Sequence, residues 1–384
     1  MTHPIQNARV LLLGGFGRVG IEAAQYLLKT TDARLTLASR TGKTIPSEID
    51  PQYHDRISTL TLDATQPAAL EEACQQTDLL ISCIGPSGIV GDSVARACKK
   101  TMTPLVDAGG YDPVIQSLDQ AEKDDPTRVP LVINVGLLPG LSGLFPEHIL
   151  RTIGAGTDIR QLDIHYVGRD AWTYNSAWDI INSLGGFGHD RGFCYLDNGR
   201  IVSVPMGKAG AKPAFPHPIG KTSTMLIYAE EIVRLANQHN IPVARVFGAN
   251  IGPRATMICI LARLMRFYNS DKGLDRGARW LARASEKDMR KMEPAYGIQV
   301  DLHDATGLAA TAQLMLTDTY QATGTVIGIT ARCILQGQHN GTGVFMLHEA
   351  IPHDLFMSLF EQEDLIRFID IRTLNDQHTA EASV

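Results

Sequence analysis

Short apolar runs alternate with amphipathic stretches over the first 135 residues, and this pattern predicts strands separated by helices. The predicted strands are Val10–Leu13, Arg34–Arg40, Ile57–Leu62, Leu79–Ile84, Pro104–Asp107 and Leu131–Val135. The predicted helices are Ile21–Lys29, Pro67–Gln76, Asp92–Lys100 and one that follows Asp112 as its expected cap. Strands separated by helices imply a parallel sheet with right-handed crossovers.

The pattern changes after Gly140. Gln161–Val167 alternates polar and apolar residues, as a half-buried antiparallel strand does, and Cys194–Val204 reads as a hairpin around Asn198-Gly199. The other predicted elements are helical runs near Thr224–His239 and Thr256–Phe267, a strand at Tyr296–His303 and a helix over Leu308–Leu335. The expected fold class is therefore α/β: a doubly wound parallel sheet plus a second α+β domain.

Three glycines follow the first strand and open the first helix. Gly15, Gly17 and Gly20 form the pattern G-x-G-x-x-G in the strand–turn–helix context that gives it meaning. We expect Gly15 to permit the tight turn, Gly17 to let a pyrophosphate approach the backbone, and Gly20 to allow close packing of helix on strand. The pattern predicts a dinucleotide site on a Rossmann fold; the alternative is a purely structural turn.

The end of the second strand indicates which dinucleotide binds. A site for NAD usually places Asp or Glu here to accept the ribose hydroxyls, but this chain has Ser39 and Arg40, with Thr41 and Lys43 close behind. A guanidinium beside a hydroxyl can pair with the 2′-phosphate, which a carboxylate would repel. The sequence therefore predicts NADP as the cofactor, unless Arg40 is only a solvated surface residue.

Ligands of such sheets bind beyond the carboxyl ends of the strands, so the loops at those ends are the expected cofactor site. The candidate cofactor-binding residues are Gly15, Phe16, Gly17, Arg18, Val19, Ser39, Arg40, Thr41, Asp63, Ala64, Ile84, Gly85, Pro86, Ala108 and Gly136.

Composition narrows the class of protein. At 384 residues, with 44% apolar and 20% charged residues, the chain is globular and long enough for two domains. Its net charge of −6 and lack of a basic run argue against a nucleic-acid partner, and no apolar stretch reaches the length of a membrane span. The six cysteines are scattered without C-x-x-C pairs, which favours reduced thiols and a cytoplasmic location.

Several segments resemble the saccharopine dehydrogenase/reductase family: Asp78–Pro86, Leu105–Gly109, Val135–Gly143 with its G-x-x-P-G pattern, and Gly341–Glu349. The resemblance is good over roughly the first 145 residues and loose between 150 and 340. It implies a Rossmann domain over residues 1–140, joined by a returning segment at about 345–375. It also implies an α+β domain over 141–344 that binds substrate and forms a homodimer.

The resemblance further implies hydride transfer between NADP and a C=N bond of a small amine- or amino-acid-derived substrate. Candidate catalytic residues are Asp107, Tyr111, Tyr174 and Asn175. Asp107 could donate a proton or only cap loop amides, Tyr111 could donate through its phenol or cover the nicotinamide, and Asn175 could bind a carboxylate or cap a helix. Two alternatives stay open: an enoyl (C=C) reductase, and a protein that binds NADP(H) as a redox sensor without turnover.

Competing motifs fail on spacing. His348 and His353 are five residues apart with Pro352 between them, so they do not form the H-E-x-x-H helix of zinc proteases, and no metal site is expected. Phe215 stands where a P-loop before Gly220-Lys-Thr would need glycine. Tyr268–Lys272 matches the Tyr-x-x-x-Lys of short-chain reductases but lies far beyond the predicted parallel sheet.

Overall fold

The structure, a computed structural model, describes residues 5–109, 112–186, 193–250 and 252–373. Up to residue 152 the elements are β1 (Arg9–Leu13), α1 (Arg18–Thr30), β2 (Arg34–Ser39), β3 (Ile57–Thr61), α2 (Pro67–Gln75), β4 (Leu79–Ser82), α3 (Ser87–Val90), α4 (Ser93–Thr101), β5 (Leu105–Asp107), α5 (Asp112–Glu122), β6 (Pro130–Val132) and α6 (Ser142–Thr152).

Further along the chain the elements become mostly antiparallel strands with helices between them. These are β7 (Gln161–Arg169), α7 (Tyr174–Ser183), β8 (Cys194–Asp197), β9 (Arg200–Ser203), β10 (Gly210–Ala211), β11 (Thr224–Leu226), α8 (Glu230–Gln238), β12 (Val243–Asn250), α9 (Pro253–Leu264), α10 (Asp271–Met289), β13 (Ala295–Asp304), β14 (Gly307–Leu316), α11 (Thr319–Leu335), β15 (Gly343–Phe345), α12 (Leu347–Ala350), α13 (His353–Phe360) and β16 (Ile366–Thr373).

The chain divides into two compact units. The first comprises the described part of Met1–Leu144 with Tyr320–Glu363, and the second comprises Phe145–Thr319 with the described part of Asp364–Val384. The sheet of the first unit has the order β15-β6-β5-β4-β1-β2-β3, and every neighbouring pair is parallel. The doubly wound α/β fold predicted from the sequence is therefore confirmed.

The central strands of this sheet are buried on both faces. Every residue of β4 is buried, and Leu11, Leu105 and Leu131 on neighbouring strands are at most 2% exposed. This is why the strands read as unbroken apolar runs and not as alternating ones. The core they form with the surrounding helices fixes the positions of the loops at the strand ends.

Helix α11 packs on α1 through two glycines, which brings a distant part of the chain into the first unit. A Cβ at Gly324 would lie 2.3 Å from the Cβ of Glu22, and one at Gly328 would lie 2.6 Å from Cδ1 of Tyr26. A Cβ at Gly324 would thus clash with the backbone of α1, and one at Gly328 would clash with the Tyr26 side chain. The sequence analysis did not identify this contact.

The second unit is built on a nine-stranded mixed sheet with the main order β10-β11-β12-β7-β13-β14-β16, from which the β8–β9 hairpin branches at β12. Only β12 and β7 are parallel among these pairs. The hairpin turns at Asn198 and Gly199 (φ 48° and 76°), as the Asn-Gly pair predicts. The predicted α+β second domain is confirmed as a mixed sheet with helices.

The two faces of this sheet differ in polarity. On one face, alternate residues such as Ile164, Val300 and Leu314 are fully buried. On the other face, Asp301 accepts hydrogen bonds from Gln299 (2.8 Å) and Thr311 (2.6 Å). In β13 and β14 the less buried face of the sheet is therefore polar.

Three predictions about elements need correction. Residues 307–316 form strand β14 and not the start of a helix, because Ala310, Ala312 and Leu314 face the core at every second position. Residues 224–239 split into β11 and α8. The segment that returns to the first unit spans Tyr320–Glu363, whereas the sequence analysis expected about 345–375. The later end does not hold because β16 pairs with β14 and so belongs to the sheet of the second unit.

The structure shows no disulfide bond among the six cysteines. Within the described ranges, no helix has both the length and the apolar content that a membrane crossing requires.

Candidate functional site

The glycine-rich turn joins β1 to α1 and is tightly packed. The positive φ that the turn requires falls on Gly14 (78°) and not on Gly15, which corrects the predicted division of roles. A Cβ at Gly15 would lie 2.8 Å from Cδ2 of Leu37, and one at Gly20 would lie 2.4 Å from the carbonyl oxygen of Gly14. Gly15 thus packs on the sheet, and Gly20 packs α1 against the turn as predicted.

Gly17 differs from these glycines because the space around it is open. It is the exposed N-cap of α1, with an extended backbone (φ −89°), and a Cβ at this position would meet nothing nearer than the Gly14 carbonyl oxygen at 3.4 Å. Arg18 and Val19 form the first turn of α1, whose N–H groups have no partner inside the helix. This arrangement leaves a helix N-terminus accessible to an anion.

Positive charge collects where β2 ends. Arg40 and Lys43 are exposed, and the Lys43 Nζ lies 5.3 Å from the ring centre of Phe16 in the glycine turn. The Ser39 hydroxyl donates to the Thr41 carbonyl, so it must rotate before it can donate to a phosphate. Hydrogen bonds from Thr65 hold the pKa of Asp63 below its usual value, with a smaller contribution from the Arg40 charge.

The ends of β4, β5 and β6 lie side by side. Ser82, the last residue of β4, is in register with Asp107, the last residue of β5, and the backbone N–H of Val135 donates to the Asp107 carbonyl oxygen (2.8 Å). Ile84, Gly85 and Pro86 follow β4, Ala108 follows β5, and Gly136 follows β6. The structure therefore brings these predicted residues to one edge of one sheet, next to the glycine turn.

Among the predicted catalytic residues that the structure describes, Asp107 is the one whose side chain is buried at this edge. Only 6% of it is exposed, and burial raises its pKa to about 6. Two neighbouring groups lower the pKa of Asp107 again. These are the Gly109 N–H, which donates to Oδ1 (3.0 Å), and the Ser82 hydroxyl. A carboxyl with such a pKa exchanges its proton near neutral pH, as a general acid does, so both the loop-capping and the acid interpretation find support in its contacts.

Asn134 is a polar residue of this edge that the sequence analysis missed. It follows β6, has a left-handed backbone (φ 62°) and is 1% exposed. It lines a small cavity together with Ile84, Ser87, Asp107 and Gly109. An Asn two residues after a buried strand, just before a glycine-rich loop, is the signal that could have identified it.

Two of the other predicted catalytic residues lie in the second unit, and the third is not described by the structure. Tyr111 falls outside the described residues. Tyr174 and Asn175 begin α7 in the second unit, where both are exposed and the Tyr174 hydroxyl donates to Asp275 (2.9 Å). The cap of α7 is Thr173, whose Oγ1 accepts from the Ser176 N–H (3.3 Å), so of the two alternatives for Asn175 the helix-capping one is wrong.

Residues 10–129 match the family model of the saccharopine dehydrogenase NADP-binding domain. This part of the chain is similar to the NADP-binding domain of saccharopine dehydrogenases. The resemblance noted in the sequence is thereby confirmed, and NADP is the cofactor of the matched family.

Curated relatives and one solved structure extend the comparison. A protein of Arabidopsis thaliana named "probable mitochondrial saccharopine dehydrogenase-like oxidoreductase" is 27% identical over 118 residues, which is 28% of this chain and 26% of that protein. A trans-acting enoyl reductase of Mycobacterium ulcerans is 30% identical over 114 residues, 29% of this chain and 27% of that protein. The matches thus span about a quarter of each curated relative.

The fold of the whole chain is similar to that of apo saccharopine dehydrogenase (L-Glu forming) from Saccharomyces cerevisiae. The TM-score is 0.60 over 95% of this chain and 100% of that one, at 16% sequence identity. The fold class predicted from the sequence, a doubly wound parallel sheet with a second α+β domain, is therefore confirmed for the whole chain.

The residues present fit NADP. Gly17 leaves a space at the N-terminus of α1 that a Cβ would partly fill, and an anion can bind there. Arg40 and Lys43 provide exposed cations where an NAD site would have a carboxylate. Asn134 and Asp107 offer buried polar groups at the other end of the same sheet edge.

Proposed function

We propose that this chain reduces a C=N bond of a small amine- or amino-acid-derived substrate with NADPH. The observation that supports it best is the buried Asp107, a carboxyl with a pKa of about 6 beside the strand ends where Rossmann enzymes hold the nicotinamide. NADPH supplies the hydride when bound. The protein must orient the reactants, exclude water and supply one proton.

Each part of the edge has a proposed role in binding. Gly17 and the first turn of α1, with Phe16, Arg18 and Val19, hold the pyrophosphate. Ser39, Arg40 and Thr41 hold the 2′-phosphate and ribose, with Asp63 and Ala64 beside them. Ile84, Gly85, Pro86, Ala108 and Gly136 flank the nicotinamide.

Substrate contacts are proposed for the second unit. Asn175 is exposed in the first turn of α7, and its amide can donate to a substrate carboxylate. Tyr174 and Tyr111 remain candidates for orienting the substrate. Asp107 delivers the proton from its carboxyl to the substrate nitrogen as the C–H bond forms at carbon.

A second candidate is reduction of an activated C=C bond, because one relative is named an enoyl reductase. A screen that follows NADPH absorbance separates the two, with cyclic imines and amine–carbonyl mixtures in one arm and enoyl thioesters in the other. Oxidation of NADPH in the imine arm alone supports the proposal. Oxidation only with enoyl compounds supports the alternative, and NADPH binding without turnover in either arm supports a redox-sensing protein.

Cofactor selectivity gives a first prediction. NADPH is expected to bind at least about tenfold tighter than NADH, equal to roughly 1.4 kcal/mol, because Arg40 can pair with the 2′-phosphate. Arg40→Asp should abolish or invert this preference, as measured by calorimetry. Arg34→Asp is the matched control, since Arg34 is exposed at the opposite end of β2. Equal affinity of the native protein for both cofactors contradicts the proposed role of Arg40.

The chain is proposed to form a homodimer through its second unit. Met257, Ile260 and Leu264 of α9 are 63%, 50% and 76% exposed, and their spacing of three and four residues puts them on one helix face. Such an apolar stripe is typical of a surface that another protein covers. A second copy that packs about a two-fold axis can cover it with its own stripe.

We expect light scattering to give the mass of two chains at micromolar concentration, and Leu264→Glu to give that of one. The charge would be buried without a partner in the dimer, but it is solvated in the monomer. Met206→Glu is the control, because Met206 is 68% exposed in the same unit but outside α9. A native monomer argues against this assembly.

The cytoplasmic location expected from the cysteines stays a prediction.

A further inference from the structure

The Asn134 side chain is buried without satisfying its hydrogen-bonding capacity. It is 1% exposed, and among the residues that the structure describes neither its Nδ2 nor its Oδ1 has a hydrogen-bond partner. Leaving buried polar groups unpaired is costly, and native proteins rarely do so without a reason. This residue therefore calls for a partner that belongs to the function of the protein.

The chemistry of the side chain specifies that partner. The Asn134 amide presents two N–H donors on one atom and an acceptor oxygen on the other. A carboxylate or phosphate satisfies only the nitrogen, and an ammonium group only the oxygen. A primary carboxamide satisfies both because it carries the complementary donor and acceptor.

The location restricts how the partner can enter. Asn134 lines a cavity of about 10 Å³ with Ile84, Ser87, Asp107 and Gly109, all of which lie at or beyond the carboxyl ends of β4 and β5. A volume of this size accommodates one water-sized group and not a ring. The cavity thus accepts the polar end of a larger ligand bound along the same strand ends.

We propose that Asn134 recognises the carboxamide of the nicotinamide and so determines which pyridine nucleotide binds productively. This inference rests on the proposed nicotinamide position at the ends of β4, β5 and β6. Asn also suits the position sterically, because its left-handed backbone is one that Asn adopts more readily than most residues. Asn134 is then a specificity-determining residue and not a structural cap.

Cofactor analogues test this without any substrate. Dissociation constants are measured by calorimetry for NADP⁺ and for 3-acetylpyridine adenine dinucleotide phosphate, in which a methyl group replaces the amide nitrogen. The native protein should bind NADP⁺ about tenfold tighter, as expected when one buried hydrogen bond is lost and its partner is left unpaired. Asn134→Gly, which tolerates the left-handed backbone, should reduce the ratio to below about twofold.

Asn240→Gly is the matched control, since Asn240 is exposed in the second unit with a similar φ of 55°. It should keep the native ratio. A native ratio near one, or an unchanged ratio in folded Asn134→Gly, overturns the role of Asn134 while NADP binding stands. If Asn134→Gly does not fold, Asn134→Asp replaces it: the Asp carboxylate still accepts from the amide nitrogen of NADP⁺, so the preference for NADP⁺ over the analogue must be retained, and its loss overturns the role of Asn134. Failure of the native protein to bind NADP⁺ overturns the proposed function as well.

Discussion

Gly17→Val is expected to abolish NADPH binding and to leave the fold intact. The extended backbone at Gly17 suits any residue, and its Cβ would make only an ordinary contact, 3.4 Å from the Gly14 carbonyl oxygen. The valine methyl groups would instead occupy the open space before the first turn of α1, where the pyrophosphate is proposed to bind. We expect a loss of affinity of more than about hundredfold by calorimetry, roughly 3 kcal/mol.

Gly20→Ala is the matched variant with the opposite outcome. Its Cβ would lie 2.4 Å from the Gly14 carbonyl oxygen and 2.8 Å from the Gly15 Cα, so the backbone of the turn must move. Overpacking of this kind costs typically about 1–3 kcal/mol, enough to lower the melting temperature by several degrees. If Gly17→Val also melts early, or binds NADPH normally, the proposed pyrophosphate site is wrong.

This pair of glycines illustrates how much of the first unit could be predicted. The G-x-G-x-x-G spacing and the apolar runs before it are local signals, and they predicted the parallel sheet, the cofactor and the packing role of Gly20. The division of labour between Gly14 and Gly15 was not predictable, because two successive glycines carry no information on which one adopts the positive φ. That choice depends on Leu37 and Cys83, which belong to other parts of the sheet.

The errors in the second half have a common physical cause. Residues 308–316 are rich in alanine and leucine, which favour a helix, yet they form β14 because β13 and β16 flank them in the sheet. Pairing partners distant in sequence override local propensity. The contact of Gly324 with α1 was missed for the same reason, since nothing near position 324 indicates which helix it meets.

Within the site, the sequence could identify Asp107 as a strand-end carboxylate but not its protonation state. Its pKa of about 6 arises from burial by residues of several neighbouring elements, which no local pattern reports. Asn134 was missed because an asparagine after a strand normally satisfies its side chain within the turn. Only the folded structure reveals that it does not.

Asp107→Asn is expected to stabilise the protein at neutral pH. The carboxyl has a folded-state pKa of about 6, against about 3.9 in an unfolded chain. Because the folded state holds the proton more tightly, the stability contributed by this group is fully present below about pH 4 and is lost as the pH rises through about 6. At about pH 7 the difference between these two pKa values lowers the free energy of unfolding by up to about 3 kcal/mol, and the neutral amide of Asn avoids this loss.

Urea unfolding of both proteins at about pH 4.5 and about pH 7.5 measures this difference, and Asp63→Asn supplies a control of opposite sign. The pKa of Asp63 is lowered by its hydrogen bonds with Thr65, so its carboxylate contributes stability that is present at neutral pH and lost as the pH falls through its folded-state pKa. Asp63→Asn should therefore destabilise more at the higher pH than at the lower one. An Asp107→Asn protein with native pH dependence of stability means that Asp107 is not held protonated by burial.

Asp107→Asn also distinguishes the two roles considered for Asp107, that of a catalytic proton donor and that of a residue that only caps the loop. The amide oxygen of Asn can still accept the Gly109 N–H, so a purely structural Asp107 predicts near-native turnover and cofactor affinity. A proton donor predicts unchanged NADPH affinity with turnover reduced by about 10²–10⁴-fold. It also predicts that native kcat/KM declines above about pH 6, as the carboxyl loses its proton, and that this limb is absent from the residual activity of Asp107→Asn. Native turnover and an unaltered pH profile in the variant assign the proton to another group and leave Asp107 as a structural residue of the β5 end.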